Sequence, residues 1–219
     1  PNLEGEKAAI AADPALVSDW AEGPKGGIQL AEVVARFRPT ILIGASGQPG
    51  WFSEALMRDM ARHCDRPIVM PISNPTSRIE ATPEQLLTWT DGRAVVGTGS
   101  PFEPVTLHGV THVIGQGNNA MIFPGVGLGA IAVDARRLTD AAFTAAEGAV
   151  VACTSITGKP GEPIYPPLAR LREVSFRVAL AVGRQLVSDG AAPGVSQEDV
   201  ERRVRALVWE PVYRPYRAA

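Results

Sequence analysis

Three asparagines and a set of glycine-rich loops carry the chemistry this sequence offers. Asn74 stands in Ser73-Asn74-Pro75-Thr76, directly after the apolar run Pro67-Ile-Val-Met-Pro-Ile72. Its amide offers an acceptor oxygen and two donor hydrogens without charge, which suits orienting a carboxamide, a ribose hydroxyl or a carboxylate. Taken alone, Asn-Pro also simply makes a turn. Asn118 and Asn119 follow Gly115-Gln116-Gly117 and precede a long apolar stretch, which predicts a place at or near a helix N-terminus. Unpaired N–H groups and the macrodipole favour anions there, and a plain helix cap is the alternative use. Two more loops, Gly44-Ala45-Ser46-Gly-Gln-Pro-Gly50 and Gly97-Thr-Gly-Ser-Pro101, also follow short apolar runs. The first is not a complete dinucleotide fingerprint; Gly44, Ala45 and Ser46 suit contact with a cofactor from a second loop, and a tight turn equally well.

Other candidates carry less. Gly125, Gly127 and Gly129 alternate with apolar residues and follow no strand, so close helix packing explains them better than phosphate binding. His108 and His112 flank a turn and are expected as exposed strand residues, and His63 closes a helix where a cation suits the dipole. Asp59, Asp65 and Asp91 fit solvated faces and turns. The sequence contains no Ser/His/Asp set, no CxxC and no HExxH. Ligand-binding loops are therefore present without self-sufficient catalytic machinery.

The elements that must position these loops follow from hydrophobic periodicity. Thr40–Ile43, Pro67–Ile72 and Arg93–Val96 are expected strands, and helical patterns lie between them. One pattern runs from Lys25 to Phe37 and stops before Arg38-Pro39. Another carries Phe52, Ala55, Leu56 and Met60 on one face, with Glu54, Arg58 and Arg62 opposite. Thr82-Pro83-Glu84-Gln85 has the marks of a capping box with proline at the first helical position, and that helix ends at Asp91-Gly92.

Strand, helix, strand, helix, strand implies right-handed crossovers and a parallel sheet whose loops collect at one edge. Pro104–Val113 alternates around His108-Gly109 as a β-hairpin. From Asn118 the chain is apolar on every face and is expected to be a buried helix. Further helices are expected from Thr139-Asp140 to Ala152 through Phe143, Ala146 and Val150, after Pro166-Pro167 through Leu168, Leu171, Val174, Val178, Val182 and Leu186, and from Ser196 onward. Trp209 to Tyr216 is expected to pack as an extended arm. The fold class is α/β, a Rossmann-like doubly wound parallel sheet, N-terminally truncated, with a β-hairpin and C-terminal helices. Residues 1–160 are expected to belong to the sheet domain and residues 161–219 to a helical extension packed on it.

The 219 residues, 45% of them hydrophobic, can bury one substantial core with a helical appendage. A net charge of -2 gives no basic face for nucleic acid, so no nucleic-acid partner is expected. Two cysteines far apart, Cys64 and Cys153, fit a reducing compartment, and cytoplasm is the default. No signal peptide is visible at Pro1, and the longest apolar stretch, Ala120 to Val133, is too short and glycine-rich to span a bilayer. The chain opens without methionine and runs into a helical pattern where such a sheet normally opens with a strand and a Gly-rich turn.

Several motifs in order resemble malic enzyme: Leu42-Ile-Gly-Ala-Ser-Gly-Gln-Pro-Gly50, Ile72-Ser-Asn-Pro-Thr-Ser77, Glu80-Ala-Thr-Pro-Glu84, Trp89-Thr-Asp-Gly-Arg93, Thr98-Gly-Ser-Pro-Phe102 and Ile114-Gly-Gln-Gly-Asn-Asn-Ala120. Ile122–Ala130 and Tyr165-Pro-Pro-Leu168 continue the resemblance, which covers Ile28 to Leu186. It implies oxidative decarboxylation of (S)-malate to pyruvate and CO2, with NAD or NADP as hydride acceptor and Mg2+ or Mn2+ at the site. It also implies that Asn74, Asn118 and Asn119 contact malate and the nicotinamide ribose, with Gly44, Ala45, Ser46, Asn74 and Asn118 on the cofactor side.

The family's tyrosine acid, lysine base, metal ligands and first Gly-rich loop precede the matching region. No catalytic or metal-binding residue is therefore expected in this chain, which is expected to be inert alone. A short non-catalytic cofactor-binding or regulatory module of the same fold is the competing reading, and another NAD-dependent dehydrogenase a weaker third. An unpaired apolar edge beside the Thr40 strand or its neighbour implies self-association. The family tendency points to a dimer or tetramer.

Overall fold

The structure is a computed structural model that describes residues 5, 11, 13–20, 23 and 27–213. Its central sheet has the order β1-β2-β3-β6, built from β1 (Ile41–Gly44), β2 (Ile68–Pro71), β3 (Val95–Thr98) and β6 (Gly115–Gln116). All three pairings are parallel, with Ile41 opposite Ile68, Ile68 opposite Val95 and Gly97 opposite Gly115. A parallel sheet puts every strand's carboxyl end at one edge, so the segments after Gly44, Pro71, Thr98 and Gln116 are neighbours. The strands start one or two residues later than apolar content alone suggests, because Thr40 and Pro67 lend only carbonyls to the ladder, accepting from Ile68 and Val95.

Helix α1 (Leu30–Phe37) begins five residues after the expected Lys25, past Gly27 at φ 73, and ends where Arg38 turns left-handed before Pro39. Residues 24–26 lie outside the described residues. Helix α2 (Glu54–His63) is capped by Ser53, whose hydroxyl accepts from Leu56 N–H, and Glu54 pairs with Arg58 at 2.7 Å. Helix α3 (Pro83–Trp89) carries the full capping box between Thr82 and Gln85. Leu56, Met57, Met60, Leu86, Leu87, Val34 and Val69 close one core around the sheet.

β4 (Val105–Leu107) and β5 (Val110–His112) form the hairpin, turning through His108 and Gly109, both at positive φ as a two-residue turn of this hand requires. His108 is exposed beside Asp91 at 3.0 Å. His112 departs from expectation and is buried. Its face of β5 covers the turn at Gly92, which has no side chain to hold the ring away, and burial lowers the His112 pKa.

A second core is wholly helical. Helices α4 (Phe123–Ala132), α5 (Asp140–Ala152), α6 (Leu171–Ser188) and α7 (Asp199–Leu207) enclose Val126, Val133, Ala146, Val174, Val178, Val182, Leu186, Val200 and Val204. This core takes in Met121 and the helices after it, so the two hydrophobic clusters meet near Asn118. The intervening segment returns to the sheet: Gly161 C=O accepts from Val113 N–H at 3.0 Å, and Ile164 and Tyr165 cover Gly97 and Gly115.

Four helical expectations need correction. α4 is not buried all round; its glycine face packs on α6 while Phe123 and Ile131 are exposed. α5 buries Ala142 and Ala146 and leaves Phe143 exposed, because small residues let it approach α6 closely. Leu168 sits in a 3-10 turn before α6 and is exposed. α7 begins at Asp199, although Ser196 Oγ does accept from Asp199 N–H at 3.2 Å.

The arm from Trp209 to Tyr213 does not pack: Trp209, Val212 and Tyr213 are exposed, and Arg172 holds the arm through Trp209 C=O and Glu210. Residues 214–216 of the expected arm lie outside the described residues. β1 is an edge strand of the sheet with Ile41 and Ile43 exposed. No helix among the described residues is long and apolar enough to cross a membrane.

The α4–α6 contact is set by glycine at two of three positions. A Cβ at Gly129 would lie 2.6 Å from the Ala179 carbonyl oxygen and one at Gly125 2.5 Å from Val178 Cβ, whereas Gly127 has nothing within 4 Å. Gly129→Ala is expected to destabilise the chain by about 1–3 kcal/mol through overpacking. Gly127→Ala is expected to stabilise it by up to about 1 kcal/mol through helix propensity. Thermal denaturation of the two variants checks both signs.

Candidate functional site

Asn74 follows β2 at the carboxyl edge and is exposed. Ser100, buried in the loop after β3, donates its hydroxyl to Asn74 Oδ1. Asn74 Nδ2 reaches back to Ile72 C=O at 3.4 Å, a long contact that leaves amide hydrogens available outward. Gly99 makes this approach possible, since a Cβ there would fall 2.2 Å from Ile72 oxygen and 3.0 Å from Asn74 Nδ2. Thr98, fully buried, holds the loop by donating to Ser100 C=O at 2.8 Å.

The loop after β6 is tied to the same place. Gly117 N–H donates to Thr98 C=O at 2.8 Å and Gln116 Nε2 to Gly99 C=O at 3.2 Å. Gln116 Oε1 is buried without a partner. Tyr165 lies against Gly117, where a Cβ would come within 2.9 Å of its hydroxyl, and burial raises the Tyr165 pKa.

Asn118 caps a 3-10 turn (Asn119–Met121), its Oδ1 accepting from Ala120 N–H at 2.9 Å. The helix N-terminus expected here lies further on, since α4 starts only at Phe123, its first turn fixed by Pro124. Asn118 and Asn119 are both exposed. Asn74 and Asn118 thus occupy one edge of the sheet without touching, joined through Ser100, Gly99, Gln116 and Gly117. Each has its side-chain oxygen engaged from within the chain, which leaves Nδ2 as the outward group.

The loop Gly44–Gly50 is built on a buried acid. Glu80 is fully buried, and its Oε1 accepts from Ser46 N–H at 2.8 Å, Ser46 Oγ at 2.8 Å and Ser73 Oγ at 2.6 Å. Oε2 has no partner. Gly44 is required because a Cβ there would lie 2.7 Å from both Glu80 Cδ and Phe52 Cζ. Gly44 therefore makes room for Glu80; Ala45 and Ser46 are both exposed, with the Ser46 hydroxyl and N–H turned to Glu80. Sequence reasoning missed Glu80 and Tyr165 as parts of this edge, and it placed the loop of Ser100 here without giving Ser100 its bond to Asn74. The one available signal was a carboxylate set between Ile79 and Ala81, both buried.

Four loops gathered at the carboxyl edge of a parallel sheet flanked by helices define a Rossmann-like α/β fold. The profile of the malic enzyme NAD-binding domain matches residues 1–187. An NAD-dependent malic enzyme of Sodalis glossinidius is 48% identical over 92% of this chain and 35% of its own length. One of Pseudomonas savastanoi pv. phaseolicola is 44% identical over 99% of this chain and 38% of its own. The crystal structure of malic enzyme from Pyrococcus horikoshii superposes with a TM-score of 0.61 at 28% identity, covering 81% of this chain and 36% of that one. That of Entamoeba histolytica malic enzyme, at 24% identity, shares the fold with a TM-score of 0.66 over 93% of this chain and 39% of that one. The chain belongs to the malic enzyme family, within its NAD-binding domain, and spans less than two-fifths the length of these relatives.

Burial acts to raise the Glu80 pKa, but the hydrogen bonds from Ser73 and Ser46 outweigh it and bring the pKa below 4.5. A carboxyl whose pKa falls on folding contributes stability that is complete above the unfolded value and is lost as pH drops through the folded one. Glu80→Gln is therefore expected to flatten the loss of stability below about pH 4.5 relative to the unchanged chain. Denaturant unfolding across a pH series measures the difference.

Proposed function

We propose that the whole protein carrying this chain oxidises (S)-malate and releases CO2 to give pyruvate, with NAD as the hydride acceptor. The relatives' names, NAD-dependent malic enzyme, favour NAD over NADP. The observation that carries the reading is the pair of amides at one edge, Asn74 and Asn118, whose oxygens are tied and whose Nδ2 groups are left as donors. Such donors suit carboxylate and ribose oxygens, which malate and the nicotinamide ribose both present. Asn119 stands beside Asn118 and is likewise exposed. In this reading the chain's part is to bind and orient, bringing the substrate C2 hydrogen toward the nicotinamide ring.

A divalent ion, Mg2+ or Mn2+, would supply Lewis-acid polarisation of the substrate oxygen. The described residues gather no three His, Cys, Asp or Glu side chains in metal-holding reach, and Glu80 is buried and engaged with two serines. No metal ligand is assigned to this chain, and no step is routed through the ion.

One assay tests both levels. With Mn2+, malate and NAD, the isolated chain is expected to form no NADH, and the intact protein to turn over. Asn118→Ala in the intact protein is expected to lower kcat/KM for malate by about 10- to 100-fold, the loss of one charge-assisted hydrogen bond. Unchanged kinetics would remove Asn118 from the site.

Self-association belongs to the same reading, as a dimer or tetramer. β1 ends the sheet with exposed Ile41 and Ile43, an apolar edge of the kind that proteins cover. Sedimentation of the intact protein over a concentration series is expected to show a species larger than the monomer; a monomer throughout would overturn this.

A further inference from the structure

The direction of every hydrogen bond under the Gly44–Gly50 loop follows from Glu80. An ionised carboxylate only accepts, so the hydroxyls of Ser46 and Ser73 must both point their protons at it. Each hydroxyl then has only lone pairs left for the loop, and loop N–H groups take them. Gly47 N–H donates to Ser73 Oγ at 2.9 Å and Gln48 N–H to Ser46 Oγ at 3.2 Å, while Ser46 N–H goes to Glu80 itself. The Ser46 and Gly47 amide hydrogens are thereby turned into the protein, and that of Gln48 is engaged within the loop. The carbonyl oxygens of Ala45, Ser46 and Gly47 accept no hydrogen bond from the described residues. At the next helix Ser53 accepts from Leu56 N–H and Glu54 places a carboxylate in the first turn, which disfavours an anion there.

A loop that cradles phosphate needs its N–H groups facing out. This one presents the opposite polarity. We propose that Glu80 is a positioning residue that fixes the Gly44–Gly50 loop with carbonyls outward, so that it takes the uncharged, hydroxyl- and carboxamide-bearing half of a dinucleotide and turns phosphate away. The inference rests on the reading that this edge binds a nicotinamide dinucleotide. It assigns the loop an acceptor role complementary to the donor amides of Asn74 and Asn118. A neutral amide at position 80 supplies its own N–H donors, lets the two hydroxyls reverse, and frees the Gly47 and Gln48 amides.

The test is calorimetric binding of NAD and of ADP to the intact protein and its Glu80→Gln variant, with the melting temperature of each. Glu80→Gln is expected to weaken NAD about tenfold, on the scale of one or two lost hydrogen bonds, and to leave ADP within about twofold. Unchanged NAD affinity overturns the inference while leaving the proposed function standing. Equal weakening of NAD and ADP also overturns it, because a merely structural role loosens both halves of the site alike. If Glu80→Gln does not fold, Ser73→Ala, which removes the acceptor of Gly47 N–H and one of the three donors to Glu80 Oε1, is expected to give the same selective loss, and no selectivity there overturns the inference. An unaltered intact protein that binds ADP but not NAD defeats the proposed function and this inference together.

Discussion

One buried carboxylate sets the conformation of the ligand edge. Glu80 arrives from the segment between β2 and α3, enters beneath the loop after β1, and draws three donors from two separate loops onto one oxygen. A carboxylate placed in a low-dielectric interior must be hydrogen-bonded, and this need fixes both loops to each other. Gly44 is the concession the sheet makes to it, a strand residue with no side chain where a Cβ would strike the acid. Asn74 follows Ser73 directly in the chain, so the asparagine inherits its position from the same network.

The rest of the edge is assembled outward from there by short contacts that only small residues allow. Gly99 lets the loop after β3 lie on Ile72 and Asn74, and Gly117 lets Tyr165 cover the loop after β6. Ser100, Thr98 and Gln116 then lace those loops together with hydrogen bonds whose partners all lie within the edge. The result is an arrangement with two polarities: amide donors on the β2 and β6 loops, and carbonyl acceptors on the β1 loop. In the proposed reading, a ligand with a carboxylate, hydroxyls and a carboxamide meets both.

The helical half contributes differently. Helices α4 to α7 share a core of their own, which the 3-10 turn and α4 join directly behind Asn118 through Met121 and Val126. The turn that holds Asn118 is therefore anchored on one side by β6 and on the other by a rigid helix pair. This continuity ties malic-enzyme sheet and helices into one support for the asparagine loops, with the Gly125 and Gly129 face of α4 setting how near α6 can come.

Much of this was legible in the sequence because it is governed locally. The order of strands and helices, the capping box at Thr82, the hairpin at His108-Gly109 and the gathering of loops at one edge all follow from periodicity, caps and turn chemistry. The motif resemblance fixed the family for the same reason, since it depends on residue types in order. What the tertiary structure decided is which way groups face. Burial of His112, exposure of Phe143 and of the Trp209 arm, and the joining of α4 and α5 to the helical core depend on neighbours far along the chain. Above all, the sequence marks Ser46 as a loop residue at a ligand edge, and only the fold turns its hydroxyl and N–H inward to Glu80, thirty-four positions away. Hydrogen-bond direction is a property of the pair, and one chain read along its length does not contain the pairs.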